Sequence, residues 1–325
     1  MFADPARSAS NTYRPLLFLV FMAENFIFGL SSPWGFHLVN VALLALNGCL
    51  LYGIALMLFE KDDAPGGLCY RSLPPLLAAL VFTLHTINSE VANWASAQAE
   101  LLFTALFLYA FRIYAKGPRE SVGRVAVSAL VYFLALLVKE TAIILPALLF
   151  AFDLIYDGRR IFKRAFNYAI FFGAAVLYMA IRTYAVGALV HEKKIAFSAF
   201  EAFINIFPLI TQYLSKLVYP SGLSIIYEFY PARSFGDMRV IAGMIVVTAF
   251  VLALIFVRQR PIRLALVWTA LPLLPVLYIP ALSTSATADR YLYLPTAGFA
   301  IIVASVALAV IKRPGAIRVI VVLAC

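Results

Sequence analysis

A chain of 325 residues in which 64% are hydrophobic and only 13% charged cannot cover its surface with polar groups, which excludes an ordinary soluble globule. The formal net charge of +10 sits in short Lys/Arg clusters between apolar runs rather than along one face, which points away from nucleic acid and toward membrane topology. Three cysteines, Cys49 within an apolar run, Cys69 in a connection and Cys325 at the end, imply no disulfide framework.

In bilayer hydrocarbon every backbone donor and acceptor must be paired within the chain, which leaves helices or a closed barrel. The apolar residues come in unbroken stretches near the roughly 20 residues that cross a bilayer, without the alternation of barrel strands. The fold class is therefore an all-α, polytopic helical membrane bundle. The first apolar run, 16–30, is broken by Glu24 and Asn25 and is short for a span. It reads as an interfacial helix, with a signal anchor flanked by Arg7 and Arg14 as the alternative. Spans are expected at 36–59, 73–91, 99–115, 122–138, 141–157 and 165–185. The segment 198–219, interrupted by Glu201, Asn205, Gln212 and Lys216, reads as a second interfacial or re-entrant helix. Further spans are expected at 239–257, 262–280 and 294–311, and the run 316–325 is too short to count as more than a partial one. The reading totals about nine full spans and one partial span in a single domain, 1–325, since apolar runs of span length recur without an intervening soluble stretch.

Alternate connections carry Lys61 and Arg71; Arg112, Lys116, Arg119 and Arg124; Arg159, Arg160, Lys163 and Arg164; Arg258, Arg260 and Arg263; and Lys312, Arg313 and Arg318. The positive-inside rule places these on the cytoplasmic side. The segments around His85, Lys139, Arg182, Tyr227 and Asp289 are then gathered on the periplasmic or lumenal side.

Ionisable groups at a membrane boundary can be anchors, structural pairs or parts of a site, and clustering on one side favours the last. His85 and Glu90 lie in FTLHTINSEVANWASAQAELL, whose Asn88, Asn93, Gln98 and Glu100 make a polar strip too rich for simple packing. Lys139 and Glu140 end one span beside the next, and as neighbours in sequence they address different partners. Arg182 closes an apolar run where a lipid phosphate or an anchoring role would suit it. Asp289, Arg290 and Tyr291, in TSATADRYLYLP, read either as a site or as an aromatic belt with a local ion pair. Lys193 and Lys194 read as solvated loop charges. No Walker-type lysine loop, HExxH pair or CxxC pair is present, so ATP-driven transport, zinc proteolysis and thiol redox chemistry have no sequence support.

Six blocks in order resemble one family: TYRPL at 12–16, GLSSPWGFHLVNVALLALN at 29–47, HTINSEVANWASAQAELL at 85–102, LVKETAIILPALLFAFDLIY at 137–156, YLSKLVYPSGLSIIYEFYP at 213–231 and DRYLYLPTAGF at 289–299. The sequence resembles the GT-C class of polytopic glycosyltransferases, most closely the membrane portion of the transmembrane and tetratricopeptide-repeat O-mannosyltransferases and their bacterial relatives. Thr86 and Gln98 depart from the family pattern, which has Pro and Arg there. Family members carry a span and an acidic catalytic loop before the Tyr-Arg-Pro block and repeats after the membrane part, so the chain is expected to be truncated at both ends.

The resemblance implies transfer of a mannose-like sugar, with inversion, from a polyprenyl-phosphate carrier to a protein or glycan hydroxyl on the non-cytoplasmic face. A bacterial inner membrane, or the endoplasmic reticulum membrane in a eukaryote, is the expected location. Such chemistry needs a carboxylate to take the acceptor proton, with Asp4 and Glu90 as candidates. It also needs cations on the departing phosphate, for which Lys139, Arg182 and Arg290 are candidates. Arg14, His85, Glu90, Glu140 and Tyr291 would line the substrate site, and Asp289 would orient Arg290. No cofactor or metal ligand set is read from the sequence, and a divalent metal is left open. The rivals are a transporter or lipid-handling protein without covalent chemistry, which predicts midplane charges and an inverted repeat, and an inactive fragment of such an enzyme.

Overall fold

The computed structural model describes residues 13–29, 33–60, 68–117, 121–187, 198–224, 227–277 and 287–311. These form thirteen α-helices joined by short 3-10 turns, with no strand among the described residues. An all-helical chain satisfies its backbone internally, as lipid requires.

Helix α1 (Pro15–Phe28) opens on Pro15, which has no N–H to leave unpaired, and stops at Gly29 with φ 77°, whose N–H reaches the Asn25 carbonyl at 2.9 Å. The long α2 (Pro33–Glu60) and α3 (Leu68–Leu84) follow, then the short α4 (Ser89–Asn93). Helices α5 (Gln98–Lys116), α6 (Val122–Val138) and α7 (Leu145–Asp157) pack centrally, with a 3-10 turn, Glu140–Ile144, between the last two. Next come α8 (Ala165–Val186), α9 (Ala199–Ile204), α10 (Ile206–Val218) and α11 (Met238–Phe256). The chain closes with α12 (Arg260–Ala270), prolonged by the 3-10 segment Leu271–Leu277, and α13 (Tyr293–Ile311).

Five of these segments are long and apolar enough to cross a bilayer: Pro33–Glu60, Ile161–Val186, Met238–Phe256, Arg260–Leu277 and Asp289–Val310. The chain is thus an integral membrane protein. A sixth counts if Ser72–Leu84 and Thr86–Asn93, bent by 45°, form one broken span. The expected total of nine is not reached on this measure, because α6 and α7 have 17 and 13 residues and α5 is the most charged of the three. The expected single span 73–91 is broken at His85, whose extended backbone (φ −61°, ψ 126°) ends α3 and whose ring accepts the Ile87 N–H at 3.2 Å. Histidine here acts as the cap of a new turn.

Both segments read as interfacial have contacts at one rim of the bundle. The start of α1 is tied through Arg14 to Glu140, just past the end of α6, and its last turn through Glu24 to Gln98, the first residue of α5. Since α5 and α6 are antiparallel neighbours, those two points lie on the same edge. Helix α10 likewise ends at the rim, where Lys216 meets Asp289, while Asn205 before it is fastened to both backbone groups of Ala232, at 2.8 and 2.9 Å, near the start of α11.

Aromatic rings fill the centre. Trp268 of α12 is fully buried, 4.7 Å from the Phe111 ring and 6.2 Å from Phe107. Helices α12 and α13 meet at Gly298, where an added Cβ would lie 2.6 Å from the Ala265 carbonyl oxygen and 2.7 Å from the Thr269 nitrogen. Small residues let membrane helices approach this closely. Replacing Gly298 by leucine is therefore expected to force the pair apart and destabilise the protein by about 1–3 kcal/mol, read as a lower Tm in detergent; an unchanged Tm would contradict this packing.

The opposite end of the bundle has its own polar cluster. The fully buried Asp153 takes hydrogen bonds from Tyr114 at 2.5 Å and Tyr168 at 2.9 Å and pairs with Arg164 at 2.8 Å, which also reaches Asp157 at 2.5 Å. This joins the ends of α5 and α7 to the start of α8.

Candidate functional site

The end of the bundle where α5 and α13 begin and α3, α6 and α10 stop gathers four buried or half-buried ion pairs among the described residues. Arg14 donates to Glu140 through Nη2 at 3.0 Å and Nε at 3.4 Å. Lys139, though adjacent to Glu140, turns to Glu100, and both members of that pair are buried. Arg290 donates from Nη1 to Glu90 Oε1 at 2.6 Å, and its backbone N–H to Oε2 of the same carboxylate at 2.8 Å. Lys216 lies 2.7 Å from Asp289 Oδ1.

Tyr291 links these pairs into one site. Its ring has the Lys139 ammonium 5.3 Å away and the Arg290 guanidinium 5.2 Å away, with Trp94 5.1 Å from the same guanidinium. Aromatic faces hold cations without neutralising them. Two cations from distant parts of the sequence are thereby set beside one phenol at the rim, where an anion would meet both.

Asp289 does not orient Arg290, as expected from sequence; Glu90 does. Adjacent side chains diverge, and Asp289 instead collects Lys216, the Tyr227 hydroxyl at 2.5 Å and the Ser224 N–H at 3.2 Å. Lys216 also sits 3.6 Å from the Tyr227 ring centroid, so the segment around Tyr227 is clasped to the residue before Arg290. Burial and the bond to Asp289 push the Tyr227 phenol well above its ordinary range, which keeps it a hydrogen-bond donor.

His85 is held by the chain itself. Its Nδ1 accepts from Ile87, so Nε2 carries the proton toward the Leu217 carbonyl at 3.0 Å, and its ring meets Phe299 edge-on at 5.7 Å. Arg182 stands one turn past Tyr178, whose hydroxyl approaches the Tyr13 carbonyl at 3.5 Å and feels both Arg182 and Arg14, so it shares the rim. Asp4, Lys193 and Lys194 lie outside the described residues. Glu100, Lys216 and Tyr227 complete the site; the first two interrupt otherwise apolar helix faces, which was the available sequence signal. No group of three or more His, Cys, Asp or Glu that could hold a metal ion occurs among the described residues.

Burial alone would raise the Glu140 carboxyl, but the charge and hydrogen bonds of Arg14 outweigh it and hold the group at about 2. A depressed carboxylate contributes stability that is present above its unfolded value and is lost as pH falls through the folded one. The Arg14 anchor of α1 should therefore survive mild acid. Hydrogen exchange of residues 13–18 is expected to show no extra opening on mild acidification beyond the intrinsic pH effect; selective opening there would contradict the pair.

No protein-family model and no solved structure matches the chain. Curated proteins do match in sequence. Protein O-mannosyl-transferase TMTC4 of Homo sapiens is 34% identical over 175 residues, covering 47% of this chain and 23% of that protein. The matched stretch is similar in sequence to TMTC O-mannosyltransferases. Protein O-mannosyl-transferase Tmtc3 of Drosophila melanogaster is also 34% identical, over 121 residues, 34% of the chain and 13% of the relative. Protein O-mannosyl-transferase TMTC1 of Homo sapiens is 29% identical over 159 residues, 45% of the chain and 17% of the relative. The chain thus spans less than a quarter of the length of these TMTC relatives.

Proposed function

We propose that this chain is the membrane region of a glycosyltransferase that moves a mannose-like sugar from a polyprenyl phosphate to a protein hydroxyl on the non-cytoplasmic face, with inversion. The observation that carries this reading is the pairing of Lys139 and Arg290 about Tyr291, in a chain whose named relatives are protein O-mannosyltransferases. In this account α5, α6 and α7 also cross the bilayer, giving about nine spans near the length a bilayer needs.

In the transfer, the acceptor oxygen forms a bond to the anomeric carbon as the bond from that carbon to the phosphate oxygen breaks. The phosphate keeps the electron pair, and its growing charge falls to Lys139 and Arg290, with Arg182 and Arg14 near the same rim. The carboxylates now on Lys139 and Arg290, Glu100 and Glu90, hold the cations in place until the phosphate competes for them. The acceptor proton passes to a carboxylate. Both Glu90 oxygens are occupied by Arg290, so Glu90 is assigned to positioning that cation, and Asp4 is the remaining candidate base.

The test is a reconstitution of the purified protein in vesicles with radiolabelled mannosyl polyprenyl phosphate and Ser/Thr peptides. Label on peptide, with loss of the labelled lipid, is expected. Labelled lipid that moves between leaflets unconsumed would instead establish the transport reading.

A further inference from the structure

Glu24 is unlike every rim carboxylate described above. It is 4% exposed, it lies in α1, where Asn25 is the only other polar residue, and its one described partner is the Gln98 amide, whose Nε2 donates to Glu24 Oε1. Gln98 is itself fully buried. Two oxygens are then left buried with no donor among the described residues: Oε2 of Glu24 and Oε1 of Gln98. A carboxyl and a primary amide are both planar forks, and when one arm of each is joined, the arm left over on each is an oxygen. An ionised Glu24 would leave both of those oxygens as acceptors without a donor and bury a charge with no cation among the described residues, which is costly. One proton removes both faults.

We infer that Glu24 is a single-proton site: a neutral carboxylic acid closed onto Gln98 by two reciprocal hydrogen bonds, amide N–H to carboxyl and carboxyl O–H to amide. The ring joins the end of α1 to the start of α5 without a buried charge. Burial pushes the Glu24 carboxyl up, against a smaller downward pull from the amide, which is the direction such a proton requires.

The ion-paired groups described near α1 have partners other than Glu24. On α5, Glu100 is closed onto Lys139, which follows α6; at the other end of α1, Arg14 is closed onto Glu140; α2 brings His37, which has no described bond to Glu24. Helix α1 is thus fastened at one end by charge and at the other by a proton. A group whose folded value is raised supports the fold at low pH and loses that support as pH rises through the raised value. A rise in pH through that raised value should therefore free the Glu24 end of α1 while the Arg14 end holds.

The experiment reads the proton directly and does not depend on sugar transfer. In the infrared difference between the native chain and Glu24→Gln at neutral pH, the carbonyl stretch of a protonated carboxylic acid is expected. A carboxylate stretch in its place, as a trapped cation or ordered water would give, overturns the inference. Gln98→Arg is expected to abolish the acid band by converting the ring to an ion pair, and retention of the band there also overturns it. A spin label at the exposed residue 26, in a background with the three cysteines replaced by alanine, should gain mobility as pH rises in the native sequence. The label should stay unchanged in Glu24→Gln, whose amide pair has no titrating proton, and an equal gain in both would contradict the proton-held contact.

Discussion

Replacing Arg290 by glutamine is expected to lower mannosyl transfer about 10²- to 10³-fold, the range seen when one preorganised donor to a developing negative charge is removed. The guanidinium is held on both sides: by Glu90, which takes its Nη1 and backbone N–H, and by the faces of Trp94 and Tyr291. Glutamine keeps a polar amide but is shorter and uncharged, so it cannot balance the phosphate. It also strands the buried Glu90, so a loss of activity alone would not separate chemistry from folding. The double variant Arg290→Gln with Glu90→Gln separates them. It should recover thermal stability, because the stranded charge is gone, and should recover no transfer. Full transfer in the double variant would remove Arg290 from the reaction.

The largest effect on stability is expected at Lys139→Met. Lys139 and Glu100 are both buried, and removing one member of such a pair leaves the other as an uncompensated charge, at about 3–5 kcal/mol. The drop should appear as a large fall in Tm in detergent. Adding Glu100→Gln should return most of it, since replacing both members of a buried pair by neutral groups is often close to neutral. The same double variant should still lack transfer if Lys139 meets the phosphate. Were the single variant as stable as the native chain, Lys139 would have to be neutral or solvated at the rim.

The helices were legible because lipid makes the rule simple: apolar runs of span length must be helices, and 36–59, 122–138 and 239–257 correspond to α2, α6 and α11 within a few residues. Where a run mixes polar groups into apolar ones, length no longer decides, and 73–91 is broken where His85 caps a new turn. The site was legible in its membership but not in its pairing. Sequence adjacency suggested Asp289 for Arg290, yet neighbouring residues project apart, and the true partner, Glu90, comes from a segment two hundred residues away in the chain. Glu24, Lys216 and Asp153 each interrupt an apolar stretch, so their presence was visible, but what they bind depends on helix packing that no local pattern encodes. Asp153 shows this most clearly, as its donors come from α5, α8 and the turn between α7 and α8.

The account rests on the charged residues 14, 90, 139, 140, 216, 289 and 290 sharing one rim that faces away from the cytoplasm, with Asp153 and Arg164 at the other. Single cysteines at the exposed positions Thr86, Glu228 and Phe162, labelled with a membrane-impermeant maleimide in sealed vesicles of known orientation, test it directly. Positions 86 and 228 should label from the non-cytoplasmic side only, and 162 from the cytoplasmic side only. Labelling of 86 and 162 from the same side, or of 86 and 228 from opposite sides, would contradict it.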